Sequence, residues 1–420
     1  MTHPGKGELG DLLTGRLDAA RRQRVLDHLH GGCAFCQQHL RALAELLLGE
    51  EPWRGAEPVA EDQYDGAFAR AGVVARSFRI RWRKEVEKLE RALTLLDQAP
   101  GGLGDESFPW RQAQALHGWP LCEALLQKSY EARFSDPKRM LSLAQSAVKV
   151  AKHIKLERYP WPRFVADLRA RAFADLGNAY RVNDRLSEAD TAFRQAIGDL
   201  KEGTGEPLSQ ARVLDLLSSL RRAQRRFGDS ITLADHVYKL CIEAGDIHLA
   251  GRALISKGIS THYQGAPCEA VRFLQQGSDL LESRREPWLK SSTTLGIIHA
   301  LVDAGEHRQA GGLLLKSGLR EAFAAEALNL LKVRWVEGKL HAGFSRPAKA
   351  GRAFMEVRSE YLGRDHVYEA ALVGMELAKV WLQQGRTRDV RTLAKEAYGT
   401  FKDLGLPSEA ARALHYWKNV

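Results

Sequence analysis

Two cysteines three positions apart, Cys33 and Cys36, follow a Gly31-Gly32 break, with His28 and His30 at the end of the helical apolar run before it. Thiols at this spacing can place both sulfurs on one metal ion, and an imidazole from the preceding run supplies a third donor. Soft sulfur with imidazole in a closed site selects Zn2+ in tetrahedral geometry, with Zn–S bonds of about 2.3 Å. A redox dithiol and a pair of unliganded thiols are the competing readings of a single Cys-x-x-Cys. The upstream histidine and the lack of a strand pattern before the motif favour zinc. A unit of about 50 residues also buries too little apolar surface to fold easily unaided, and a metal staple suits it.

The elements that must position these side chains are short. Glu8–Leu13 reads as a first helix, closed by Thr14-Gly15. Asp18 caps a second run, Ala19–Leu29, with Val25, Leu26 and Leu29 on one face. A third, Gln37–Leu48, carries Leu40, Leu43, Leu46 and Leu47 at helical spacing. The string His3-Pro4, Leu9-Gly-Asp-Leu-Leu-Thr-Gly-Arg-Leu17, His28-Leu29, Gly32-Cys33-x-x-Cys36 and Leu40 resembles the zinc-binding anti-sigma domain of bacteria over about residues 1–49. The resemblance implies three or four helices that wrap a sigma factor of the extracytoplasmic-function class and block its binding to polymerase. It implies a zinc ion held by His28, Cys33 and Cys36, with His3 as the upstream ligand. One spacing departs from the family: four residues separate His28 from Cys33 where three are commoner, and two separate His30 from Cys33. His28 against His30 stays open, although His28-Leu29 keeps the family's His-Leu pair. His39 stays open as a substitute for His3.

Residues 50–62 are acidic, contain Pro52 and Pro58, and read as an exposed linker. A connecting helical segment covers 63–119, with Val86, Leu89, Leu93 and Leu96 on one stripe. Its basic stretch, Arg76 to Lys84, is interleaved with Phe78, Ile80 and Trp82, but Glu85, Glu87 and Glu90 follow at once. That pattern fits a solvated helix face better than a nucleic-acid contact.

From 120 to 420 the chain repeats itself. Ala270, Ala310, Ala350 and Val390 lie 40 residues apart. Gly265, Gly305, Ser345 and Gly385 precede them by five, Gly258, Ile298, Gly338 and Ala378 by twelve, and Leu274, Leu314, Phe354 and Ala394 follow by four. A period of this length marks a helical solenoid, in which stacked helix pairs bury one continuous core. Small residues recur where paired helices approach closely, and glycine at the turn between them. Upstream, Phe173, Leu176-Gly177, Tyr180, Ala189, Phe193 and Ala196 are spaced as in the tetratricopeptide repeat, which this stretch resembles. Val213–Leu240 fits the same pattern with one extra residue, Leu121–Tyr130 with Arg139–Ile154 forms an earlier pair, and Ser408–Trp417 reads as a capping helix. The expected fold is therefore all-α: a small three-to-four-helix zinc-binding domain followed by a tetratricopeptide-like α-solenoid. Trp288, Trp335 and Trp381 are expected as wedges in its core.

The resemblance to tetratricopeptide solenoids implies a concave groove that takes peptides or helices. Carried over, the groove positions are Arg171, Asn178, Arg181, Arg212, Arg222 and Arg252, a basic set suited to a carboxylate-rich peptide. Net charge is +10, yet residues 1–62 carry −3, which argues against nucleic acid as the partner of the N-terminal unit. No phosphate-binding glycine loop, HExxH or Gly-x-Ser-x-Gly motif is present, so no enzymatic activity is expected. Cys122, Cys241 and Cys268 fall in apolar helical patterns and read as buried thiols. Five scattered cysteines suit a reducing compartment, and neither a signal-peptide core nor an apolar run of membrane-spanning length is seen, so a cytoplasmic location is expected. Two functions fit. One is an anti-sigma-type regulator whose solenoid docks a second protein or signal. The alternative is an adaptor or regulatory subunit of a bacterial effector or defence assembly, for example a protease-linked one, with a structural zinc domain.

Overall fold

A computed structural model of the chain describes residues 3–4, 6–13, 17–30, 33, 36, 82–98, 110–133, 135–154 and 162–420. Every regular element among them is helical. The chain divides into two compact units, Met1–Ala223 and Gln224–Val420.

In the first unit, helices Lys6–Leu13 and Ala19–His30 share a small core of Leu9, Leu17, Val25, Leu29 and Cys36. The second of these helices starts where expected, because the Asp18 carboxylate accepts the Arg21 backbone N–H at 2.8 Å. The third helix expected over 37–48, the 50–62 linker and the start of the basic–aromatic run lie outside the described residues. A helix over 82–98 buries Ala92, Leu95 and Leu96. Paired helices follow: Trp119–Ala132 with Pro137–Lys152, and Pro162–Val182 with Leu186–Lys201, before Pro207–Ala223. Asp136 caps Pro137–Lys152 by accepting the Arg139 N–H, and Pro137 presets its first turn. Close approach fixes the next pair. A Cβ on Gly177 would lie 2.7 Å from the Phe193 ring, so the spacing of these helices requires glycine there.

The second unit keeps a strict pitch. Helices begin at Ile247, Pro287, Ala327 and Val367, their partners at Pro267, His307, Pro347 and Thr387, each set in steps of 40. Pro407, the start of the last helix, falls on the same register. So do Pro207 and Phe227, which extends the 40-residue period upstream of the comb read from the sequence. There Ser218 and Ser230 occupy the small-residue positions, both fully buried. Ala270, Ala310, Ala350 and Val390 are likewise fully buried. A Cβ on Gly258 would meet Leu274 at 2.8 Å, and one on Gly338 would meet Phe354 at 2.6 Å, so the comb marks the helix crossings. The turns between partners all pass through the left-handed region: Gly265 (φ 97°), Gly305 (83°), Ser345 (54°) and Gly385 (73°). Each closes its helix with a bond from the following N–H to a carbonyl five residues back, as from Arg346 to His341 at 2.8 Å and Arg386 to Trp381 at 2.9 Å.

Side chains depart from expectation at two places. Trp335 and Trp381 pack against the core, but Trp288, one residue inside its helix, stays 40% exposed. Cys122 and Cys241 are buried, whereas Cys268, in the first turn of Pro267–Asp279, is exposed on the side of that helix opposite the fully buried Ala270. Among the described residues no helix is long and apolar enough to cross a membrane.

Candidate functional site

The N-terminal pair of helices brings four ligand-type side chains together. His28 stands on the last turn of Ala19–His30, Cys33 and Cys36 follow the glycine break, and His3 lies ahead of the first helix. One donor atom from each lies within 4.8 Å of the others. His3 Nδ1 is 3.4 Å from Cys33 Sγ and 3.5 Å from Cys36 Sγ. The His3 and His28 rings meet edge-on at 5.3 Å between centroids. Bonds of about 2.3 Å to sulfur and about 2.0 Å to nitrogen around a tetrahedral ion separate the two donors by about 3.5 Å. The His3–cysteine distances therefore match the edges of a zinc tetrahedron. His28 Nε2 is buried and finds no hydrogen-bond partner, as expected of an atom that binds a cation. Burial pushes the Cys36 thiol up, and the neighbouring Cys33 adds to the shift through its hydrogen bond and charge. A bound cation reverses that tendency by favouring both thiolates. Two histidines with two cysteines thus fit Zn2+ in number, softness and spacing. The side chains of His30 and His39 lie outside the described residues.

The six residues expected in the solenoid groove fall into two groups. Arg171 makes a two-pronged bond to Glu123, at 2.6 and 2.7 Å. Burial alone would lower its pKa, but Glu123 and Asp175 more than offset this and raise it. Arg212 pairs with Asp175 at 3.3 Å, and Arg252 with Glu286 at 3.2 Å. These three cations are neutralised from within the protein. Arg171 and Arg212 flank a cleft of about 230 Å³ walled by Trp119, Phe164, Leu168 and Leu208. Asn178, Arg181 and Arg222 form the other group. Arg181 donates through Nε and Nη2 to Asn178 Oδ1, at 3.0 and 2.8 Å. Burial and the Arg222 charge push Arg181 down to about 10, so it remains cationic at neutral pH. Arg222 donates to Ser219 at 3.3 Å. The charged neighbours of Arg181 are Arg222, which lowers its pKa, and Asp184 and Asp215, which act the other way without outweighing burial. The acidic partners Glu123, Asp175 and Glu286 escaped the sequence reading. Their signal was spacing, since Arg212–Asp175 and Arg252–Glu286 are 37 and 34 residues apart, close to one repeat.

A further polar cluster went unread. Asp303 accepts from His262 Nε2 at 2.9 Å and from Lys339 at 2.6 Å, joining helices 41 and 36 residues apart in sequence. Burial would raise its carboxyl, but the His262 bond and the Lys339 ammonium hold it well below the usual carboxylate range. His299, half-buried and near Lys339, is pushed down to about 3 by desolvation and stays neutral.

No family model matches the chain, and no curated protein matches it. Solved structures do. A Rap protein complexed with competence and sporulation factor shares 9% identity, covering 96% of this chain and 99% of its own, with a TM-score of 0.55. Aspartyl phosphate phosphatase F from Bacillus subtilis shares 12%, covering 98% and 97%, with a TM-score of 0.53. Apo RapI shares 13% over 71% of this chain and 99% of its own, with a TM-score of 0.51. The chain has a tetratricopeptide-like α-solenoid fold. At these identities the similarity is one of fold alone.

Proposed function

We propose that the protein is a non-catalytic regulator that works by docking other proteins. Its N-terminal unit is a zinc-binding anti-sigma-type domain that holds a sigma factor of the extracytoplasmic-function class. Its solenoid docks an acidic segment of a second protein or signal. The observation that carries the docking role is Arg181: a largely desolvated guanidinium that stays cationic beside Asn178, with Arg222 as a like-charged neighbour, suits an incoming carboxylate. The His3, His28, Cys33 and Cys36 cluster supports the zinc domain, and the resemblance of residues 1–49 supports its target. One of the structural neighbours is a Rap protein in complex with competence and sporulation factor, which agrees with a solenoid that engages a partner. When bound, the zinc ion would supply structural closure; His28, Cys33 and Cys36 would then tie the second helix to the two cysteines that follow it in sequence, and His3 would tie the N-terminal segment to both.

Affinity capture from the native host tests this with three proteins: the parent, a Cys33→Ser, Cys36→Ser variant and Arg181→Gln. The parent captures a sigma factor and a second protein. The cysteine variant loses the sigma factor and keeps the second protein, and Arg181→Gln does the reverse. Recovery of the same non-sigma partners by all three would favour the adaptor reading, with a zinc unit that is structural only.

A further inference from the structure

Each repeat of a solenoid touches its neighbours and little else, so a bond between side chains 143 residues apart within one unit calls for a physical account. In the C-terminal unit Arg225 makes that bond. Its Nη2 donates to the Tyr368 hydroxyl and pairs with Glu409 Oε1 at 3.1 Å. Its guanidinium carbon also lies 5.1 Å from the centre of the Tyr368 ring. Arg225 belongs to the turn before Phe227–Glu243, the first helix of the unit. Tyr368 is in the first turn of Val367–Gln383, and Glu409 in the first turn of the last helix, Pro407–Asn419. The main helix packing of this unit runs between sequence neighbours, whereas these three side chains join its two ends.

Each member is held in place. Arg225 has a left-handed backbone, φ 61°, in its turn. Tyr368 packs against the C-terminal core, its ring 6.2 Å from that of Phe401. Glu409 is 9% exposed, beside the buried Ala410. From the first repeat Tyr263, stacked on Phe227 at 5.9 Å, comes near enough to influence the same hydroxyl.

We propose that Arg225, Tyr368 and Glu409 form a clasp that joins the ends of the C-terminal unit and closes its superhelical turn. One guanidinium, shared by a hydroxyl and a carboxylate, holds the closed form. Losing it lets the turn open while every repeat keeps its own core, the kind of two-state element that a partner can bias.

Hydrogen exchange read by mass spectrometry on the full chain tests the clasp. Arg225→Gly keeps the left-handed turn and removes the cation, and Glu409→Ala attacks from the other end. Arg225→Gly is expected to quicken exchange about tenfold in the turns around 364–368 and 404–408, far along the sequence, while the repeats between keep their protection. Glu409→Ala is expected to do the same around 224–228. Exchange that quickens only in the substituted residue's own turn, in both variants, would overturn the clasp. Should Arg225→Gly lose its cooperative fold, Glu409→Ala and Tyr368→Phe give the reading.

Discussion

Gly338 and Gly296 sit in equivalent first helices of adjacent repeats, yet the structure assigns them opposite responses to alanine. Alanine is favoured over glycine inside a helix by about 1 kcal/mol. At Gly296 nothing opposes this, because the nearest atom to a new Cβ is Leu274 Cδ1 at 3.8 Å, ordinary contact. At Gly338 the Cβ would stand 2.6 Å from Phe354 Cε1, 2.8 Å from Phe354 Cδ1 and 3.3 Å from Ala353 Cβ. Phe354 is 1% exposed and Ala353 fully buried, so neither can swing into solvent. Overpacking of this kind costs about 1–3 kcal/mol. The net expectation is stabilisation by about 0.5–1 kcal/mol for Gly296→Ala and destabilisation by up to about 2 kcal/mol for Gly338→Ala. In a unit of this size each kcal/mol moves Tm by about 2–4 °C, so the two variants should separate by several degrees in calorimetry. Adding Phe354→Leu to Gly338→Ala should recover part of the loss, since the ring is the obstacle. If Gly338→Ala were as stable as Gly296→Ala, the reading of the 40-residue comb as helix-crossing positions would be refuted.

Other outcomes follow from the polar sites. Elemental analysis of the purified protein should find about one zinc per chain, and Cys36→Ser should abolish it, because Cys36 is the buried member of the cluster. Arg181→Gln should weaken binding of an acidic peptide to the solenoid about tenfold, the loss of a charge-assisted hydrogen bond, whereas Arg252→Gln should change it far less because Glu286 already neutralises Arg252; fluorescence anisotropy reads both. Asp303→Asn should destabilise the C-terminal unit at neutral pH. The folded carboxyl lies below its unfolded value, so its contribution is present above about pH 4 and is lost as pH falls through the folded value; urea midpoints of variant and parent should converge only below about pH 4.

The fold was largely legible in the sequence because its signal is periodic. Small side chains at fixed spacing report helix crossings directly, and Gly258, Ala270, Gly338 and Ala350 sit at the contacts that their spacing implied. The extension of the register to Pro207 and Phe227 was harder to see, since Ser218 and Ser230 stand where glycine and alanine stand elsewhere. Of the candidate metal ligands, Cys33, Cys36 and a histidine before them could be read from spacing, whereas His3 came only through a family resemblance, because nothing local links it to a cysteine 30 residues on. The residues expected in the groove were legible as a set of cations but not as a charge balance. Whether an arginine is neutralised depends on a carboxylate one repeat away, as with Arg171 and Glu123, 48 residues apart, and only stacking of the helices decides it. The Arg225 contacts were invisible for the same reason over a longer span.

The most direct test of the regulator account is calorimetric titration of the purified full chain with a purified sigma factor of the extracytoplasmic-function class from the same host. The zinc-loaded parent and Arg181→Gln should bind it with equal affinity, and the Cys33→Ser, Cys36→Ser variant should not bind. Equal binding by the cysteine variant, or none by the zinc-loaded parent, would contradict it.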